Sequence, residues 1–230
     1  MIKKEGITMN THNYTARRIK KTVCVKDEPI MVINIAYPFF NKENQSKRAC
    51  ELAGKINRFY SHTAEKYTRY ISEKYVSKAL KIYNTNGHIK LSFVMDCTVS
   101  FINEGFVSIF SDLTYFNGKK KKTVRFSQNW SESKSALLPA SFCFNKSGKA
   151  KKHITQIIAE IAEENIKSRS FSYFSDYPSI IARKFDFDNF YFVPNGTAFF
   201  YNPGILSDED TPCVFVIPNK KIDGILKIHL

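Results

Sequence analysis

The thirteen residues 89-IKLSFVMDCTVSF-101 place Ile89, Leu91, Phe93, Met95, Cys97, Val99 and Phe101 at every second position. Between them stand Lys90, Ser92, Val94, Asp96, Thr98 and Ser100. Successive side chains of a strand point to opposite faces, so this period predicts a long strand with one face on a core and the other mostly wet. The apolar face of such a strand must be covered, and the flanking segments supply the cover.

Asn103-Glu104-Gly105 reads as a turn, and Val107, Ile109, Leu113 and Tyr115 continue the pattern in a second strand. Val124, Phe126 and Trp130 mark a third after Asn117-Gly118, which completes an antiparallel meander. Upstream, Val23, Val25 and the run 30-IMVINIAY-37 read as two adjacent strands, divided by Asp27-Glu28-Pro29 and stopped by Pro38. From about 44 to 83, Leu52, Ile56, Phe59, Ala64, Tyr67, Ile71, Tyr75 and Ala79 recur at helical spacing. They predict one long helix, or two in line, with its apolar face on the sheet.

The C-terminal part repeats the mixture. Residues 137–148 read as an irregular connection, and Ile154, Ile157, Ile158, Ile161 and Ile166 predict an amphipathic helix starting near Lys151. A shorter helix is expected from Asp176 to Phe185, then a hairpin about Asn195-Gly196, a buried strand over Cys213–Ile217, and a terminal helix from Pro218 to Leu226. Strands and helices do not alternate strictly, so the class is α+β: antiparallel meander and hairpins packed with one long and several shorter helices. Residues 1–20 have no sustained periodicity and read as a flexible tail. Residues 21–130 and 131–230 read as two halves packed as one unit.

With 230 residues, of which 43% are hydrophobic, the chain can bury a sizeable core. The N-terminus lacks the apolar stretch of a signal peptide, and no run of about 18 apolar residues occurs, so a cytoplasmic location is expected. Cys24, Cys50, Cys97, Cys143 and Cys213 are odd in number, widely spaced and without a C-x-x-C pair, which favours buried reduced thiols.

No catalytic motif is present. The chain lacks G-x-S-x-G, G-x-x-x-x-G-K-[ST] and G-x-G-x-x-G, and its five histidines follow no metal-ligand spacing. The acidic run 207-SDED-210 lacks the alternating oxygen donors of a calcium loop. The reading is therefore a non-enzyme without cofactor or metal.

Charge is uneven: residues 1–150 carry 26 basic against 11 acidic side chains, and residues 151–230 carry 9 against 10. Such a balance fits either a nucleic-acid or polyanion partner or a solvated basic face. The four lysines of 114-TYFNGKKKKTVRF-126 bear on the choice. A two-residue turn at Asn117-Gly118 puts Lys119 and Lys121 on one face of the following strand and Lys120 and Lys122 on the other, so they form no single cationic wall.

The order of elements resembles a known module. Tyr37-Pro38, the helix with Ile56-Asn57, 106-FVSIFSDLTYFNG-118, Leu137-Leu138, 187-FDNFYFVPNGTAFFYNP-203 and 214-VFVIPNKKIDGIL-226 are together similar to the RsiV-type domain. That module forms the extracytoplasmic part of RsiV-like anti-sigma factors, where it binds lysozyme, and precedes the catalytic domain in PdaC-type deacetylases. The resemblance implies an α+β binding or sensing domain for a protein or glycan ligand, with no catalysis of its own. Where many relatives have Gly-Gly-Ala-His at the first hairpin turn, this chain has Asn117-Gly118-Lys119-Lys120.

The two hairpin ends are the ligand-binding surfaces expected from this comparison: Phe116, Asn117, Gly118, Lys119 and Lys120 in one, Tyr201, Asn202 and Pro203 in the other. The competing readings are a basic nucleic-acid or polyanion binder and an enzyme whose site is assembled from distant residues.

Overall fold

The computed structural model describes residues 14–43, 45–86, 89–103 and 105–228. Six strands form the larger sheet: β1 (Tyr14–Val25), β2 (Glu28–Phe40), β3 (Leu91–Asn103), β4 (Phe106–Phe116), β5 (Lys121–Ser131) and the two-residue β6 (Ala136–Leu137). They lie in sequence order, and every neighbouring pair is antiparallel except β2 and β3.

That parallel pair dictates the long helix, because parallel neighbours need a crossover to bring the chain back. The crossover is α1 (Lys47–Asn86), 40 residues and about 60 Å of uninterrupted helix through Gly54. It buries Leu52, Ala53, Ile56, Tyr60, Ala64, Ile71 and Ala79. Against them pack Met31, Ile33 and Ile35 of β2, then Leu91, Phe93 and Met95 of β3, Val107 and Ile109 of β4, and Trp130 of β5. The alternation of residues 91–95 is thus the sheet's half of the first core.

The second core is built on a three-stranded antiparallel sheet, β7 (Phe190–Val193), β8 (Gly196–Tyr201) and β9 (Cys213–Pro218). One face carries Phe190, Phe192, Phe199, Tyr201, Phe215 and Ile217, covered by α3 (Gly148–Lys167) and α4 (Tyr177–Lys184) through Ile154, Ile158, Ile180 and Ile181. The short α2 (Ala140–Cys143) leads into this layer. The opposite face carries Tyr191, Ala198 and Phe200, which meet Phe110 on the far side of the larger sheet. β8 is consequently buried on both faces, and all six of its residues are buried.

The join between the sheets is polar and fully inside. Ser108 of β4 and Asn129 of β5 are 0% and 4% exposed, and the Ser108 hydroxyl donates to Asn129 Oδ1 at 2.6 Å. Ser108 Oγ accepts from Phe192 N at 2.8 Å, and Asn129 Nδ2 donates to the Phe190 carbonyl at 3.3 Å. Two side chains of one sheet therefore satisfy the edge backbone of β7 in the other, a buried edge that would otherwise lack partners.

Four expectations are corrected. β1 begins at Tyr14, inside the stretch read as tail, and pairs with β2 along its whole length, while residues 1–13 lie outside the described residues. Its period was masked by Arg17, Arg18, Lys20 and Lys21, the kind of charges that edge strands carry to discourage further pairing. The loop after β4 has four residues, because Phe116 pairs with Lys121. Asn117 Oδ1 accepts from the Lys119 and Lys120 amides at 3.1 Å each, which leaves Lys119 and Lys120 in the loop and only Lys121 and Lys122 on opposite strand faces. Gly118 is required there, since its φ is +94° and an added Cβ would stand 3.0 Å from Ile82 Cδ1.

The second hairpin turns on Pro194-Asn195, one residue earlier than expected, with Asn195 at φ +62°. Finally, the terminal helix is a single 3-10 turn, Asn219–Lys221, because Pro218 still belongs to β9 and the chain then bends through i→i+3 bonds such as Ile222 N to Asn219 O. Among the described residues, no helix is long and apolar enough to cross a membrane.

Replacing Asn129 by Ala strands the Ser108 hydroxyl and the Phe190 carbonyl inside the joint. Urea unfolding followed by circular dichroism is expected to show a loss of about 1–3 kcal/mol at unchanged m-value.

Candidate functional site

β2 and β3 run side by side for only five residue pairs, from Met31 opposite Leu91 to Ile35 opposite Met95. Beyond that point β2 continues to Phe40 and β3 to Asn103, and the sheet splits. The end of β2 is closed by α1: Phe40 N donates to Asn57 Oδ1 at 2.7 Å, and Asn57 Nδ2 donates to Phe40 O at 2.8 Å. Among the described residues, no strand takes the corresponding position beside Asp96–Asn103 of β3.

A groove of about 1030 Å³ opens along this end of β3. Val99, Phe101 and Ile102 form one wall; the Pro194-Asn195 turn, Val216 of β9 and Pro218 form the other. Val216 is 51% exposed although it belongs to a strand whose neighbours on either side are buried. Asn103, Asn195 and Asn219 add amides, Tyr14 joins the lining, and Lys220 is its single charged side chain among the described residues. The lining can desolvate apolar groups, exchange hydrogen bonds and attract an anion. Among the described residues, the lining has no carboxylate, histidine or cysteine.

The residues expected from sequence lie elsewhere, and the structure brings their two segments to the same strand, β5. Asn202 Oδ1 accepts from Arg125 N at 2.7 Å and Asn202 Nδ2 donates to Arg125 O at 3.2 Å, so this side chain mimics a neighbouring strand. Thr123 N donates to Asp210 O at 2.7 Å, which lays the acidic loop along β5. Tyr201 is 2% exposed, its hydroxyl donates to Ile181 O, and burial pushes its phenol pKa upward. Pro203 is buried as well. Asn202 therefore ties the second sheet to the first, Tyr201 is anchored within the second core, Phe116, Asn117 and Gly118 are half-buried, and Lys119 and Lys120 are exposed.

The groove residues escaped the sequence reading for two reasons. The part of β3 without a β2 partner has the same alternation as the part with one. Val216 sits in CVFVI, which reads as continuous buried strand. The turn, read at Asn195-Gly196, was the one visible sign.

Other reactive groups are occupied structurally. Arg125 donates from Nε and Nη2 to the two Asp112 carboxylate oxygens at 2.7 and 2.6 Å, donates from Nη1 to the Tyr191 hydroxyl at 2.8 Å, and lies 4.1 Å over the Phe110 ring. With its donors so engaged, it acts as a tie between the sheets. Among the described residues, no three His, Cys, Asp or Glu side chains are grouped to hold a metal.

All five thiols are free. Burial pushes Cys97 up to about 11 and Cys143 up to about 12. Cys97 also lies 3.0 Å from Ser111 Oγ. A thiol with a raised folded-state pKa stays protonated while the unfolded chain ionises, so stability from this source is complete below about pH 8.5 and declines from there toward pH 11. A thiol reagent at pH 8 is expected to label the exposed Cys24 first, and to reach Cys97 and Cys143 only in step with unfolding, as read by peptide mass spectrometry.

No family model matches this chain, and no curated protein matches it in sequence. Solved structures share its fold. A member of the DUF3298 family from Bacteroides fragilis superposes with a TM-score of 0.61 at 14% identity, over 94% of this chain and 94% of the other. A DUF3298 family protein from Pseudomonas aeruginosa superposes with a TM-score of 0.56 at 14% identity, over 93% of this chain and 94% of the other. The fold of this chain is that of the DUF3298 structures.

Proposed function

We propose that this chain is a non-catalytic binding or sensing domain of the RsiV type, and that its ligand, a protein or glycan, sits in the groove where β2 and β3 part. The observation that carries the reading is the groove itself: a large apolar and amide-lined cleft, built partly from a strand with one edge unpaired, and holding no acid–base or nucleophilic pair among its described residues. Chain-long likeness in fold to domains of unknown function is compatible with it. Binding follows from desolvating Val216 and its neighbours, whereas bond-breaking needs convergent reactive groups.

The test is to screen the pure chain on peptide and glycan arrays and to repeat every hit with Val216→Asp. Val216 is half exposed, so the change leaves the fold intact while charging the groove. At least one hit is expected to weaken by about tenfold, the effect of losing one buried apolar contact. If no hit responds, the groove is not the site. Hydrolysis of acetylated chitooligomers, abolished by a single carboxylate or histidine substitution, would overturn the non-enzyme reading.

One observation favours a second reading. α1 carries nine basic and three acidic side chains, and Lys55, Arg58, His62, Lys66 and Arg69 recur every three or four residues along its exposed side. This row, about 21 Å long, suits a polyanion. Fluorescence anisotropy with DNA and RNA at about 50 mM salt decides it: binding that falls steeply with added salt supports the reading, and none at that concentration ends it.

A further inference from the structure

Among the described residues, β3 has a stretch of edge with no strand beside it, in a place where a ligand has room to enter. β3 continues for eight residues past its last pairing with β2, from Asp96 to Asn103, about 26 Å of extended chain. Within it the register with β4 shifts, Val99 facing Ile109 and Phe101 facing Ser108, so Ser100 is an extra residue. Such a bulge bends and twists the strand that carries it, which suits the parting from β2.

Four other strand edges are closed or blocked. Asn57 closes the end of β2, Ser108 and Asn129 close β7, and Asn202 with the Asp210 carbonyl closes β5. β1 carries Arg17, Arg18, Lys20 and Lys21. From Cys97 to Asn103, β3 has neither a charge nor a side-chain amide across its open edge.

Resting on the groove as the ligand site, we infer that the ligand is an extended, acidic polypeptide segment that adds as a strand along Val99–Asn103 of β3, the part of that edge which lines the groove. Strand addition supplies main-chain hydrogen bonds along the edge, and alternate side chains then point into pockets. On this chain the inward side chains meet Val216 and Pro194, and the outward groups meet Asn103 and Asn219. The charge of the lining selects the partner: among its described residues Lys220 is the one charged group, so a Glu, an Asp or a terminal carboxylate on the segment is matched there. At about 1030 Å³ the groove stands at the upper limit of the range for small-molecule sites, about 300–1,000 Å³, which fits an oligomer better than a single ring.

The test uses the whole chain and an array of random decapeptides, half of them acidic, beside a glycan array. The strongest acidic peptide is resynthesised with one N-methyl group at each position in turn, which deletes one backbone donor at a time. Strand addition expects a period of two: methylation at every second residue weakens binding by about tenfold, and at the residues between by less than about twofold. Lys220→Glu is expected to turn the preference from acidic to basic peptides. Loss without that period, or a hit indifferent to Lys220→Glu, overturns strand addition while the groove reading stands. Groove-dependent binding of glycans and of no peptide does the same. Hits of either kind that ignore Val216→Asp overturn both.

Discussion

A sheet has to end somewhere, and a strand edge buried without partners costs more than the fold can absorb. This chain ends its sheets with short polar side chains. Ser108 and Asn129 take the backbone of β7, Asn57 takes both backbone groups of Phe40, and Asn202 takes both of Arg125. An asparagine amide offers a donor and an acceptor at nearly the spacing of a peptide group, so one residue stands in for a missing strand. These contacts permit two sheets of unlike size to meet face to edge and share one interior, with the aromatic set about Phe110 and Tyr191 filling the angle between them.

The same device explains where the molecule is open. Because α1 closes β2 through Asn57, β2 is free to follow β1 away from β3, and β3 is left with an edge that no amide covers. The groove is thus a by-product of how the crossover helix enters, and its exposed valine and three asparagines line a place where backbone is accessible. Other charged and nucleophilic groups are committed elsewhere: Arg125 to Asp112 and Tyr191, Cys97 to the Ser111 hydroxyl, and Cys143 to an interior whose burial raises its pKa. What remains available at the groove is hydrogen bonding, hydrophobic contact and one cation.

Much of the architecture was legible from period alone. The alternation at 89–101, the helical spacing from Leu52 to Ala79 and the isoleucines of α3 each describe a surface to be buried. The strand and both helices form, with Leu91, Phe93 and Met95 and Ile154, Ile157 and Ile158 buried, whereas Cys97, Val99 and Phe101 are half-buried and Ile166 is exposed. The misreadings share a cause. β1 hid behind its edge lysines and arginines, and the loop after Phe116 was set by the Asn117 side chain, as was the terminal turn by Pro218 remaining in β9. In each case a local contact decided between conformations that the pattern allowed equally.

By itself, the sequence determined the α+β class, the long helix, the central meander and the absence of a recognisable catalytic motif, because these depend on side-chain period and on spacings within one segment. Only the tertiary structure decided where a ligand could go. Whether residues 96–103 have a neighbour on their second edge depends on β2, 60 residues earlier, and on Asn57 across the interior; no local pattern records a partner that is missing.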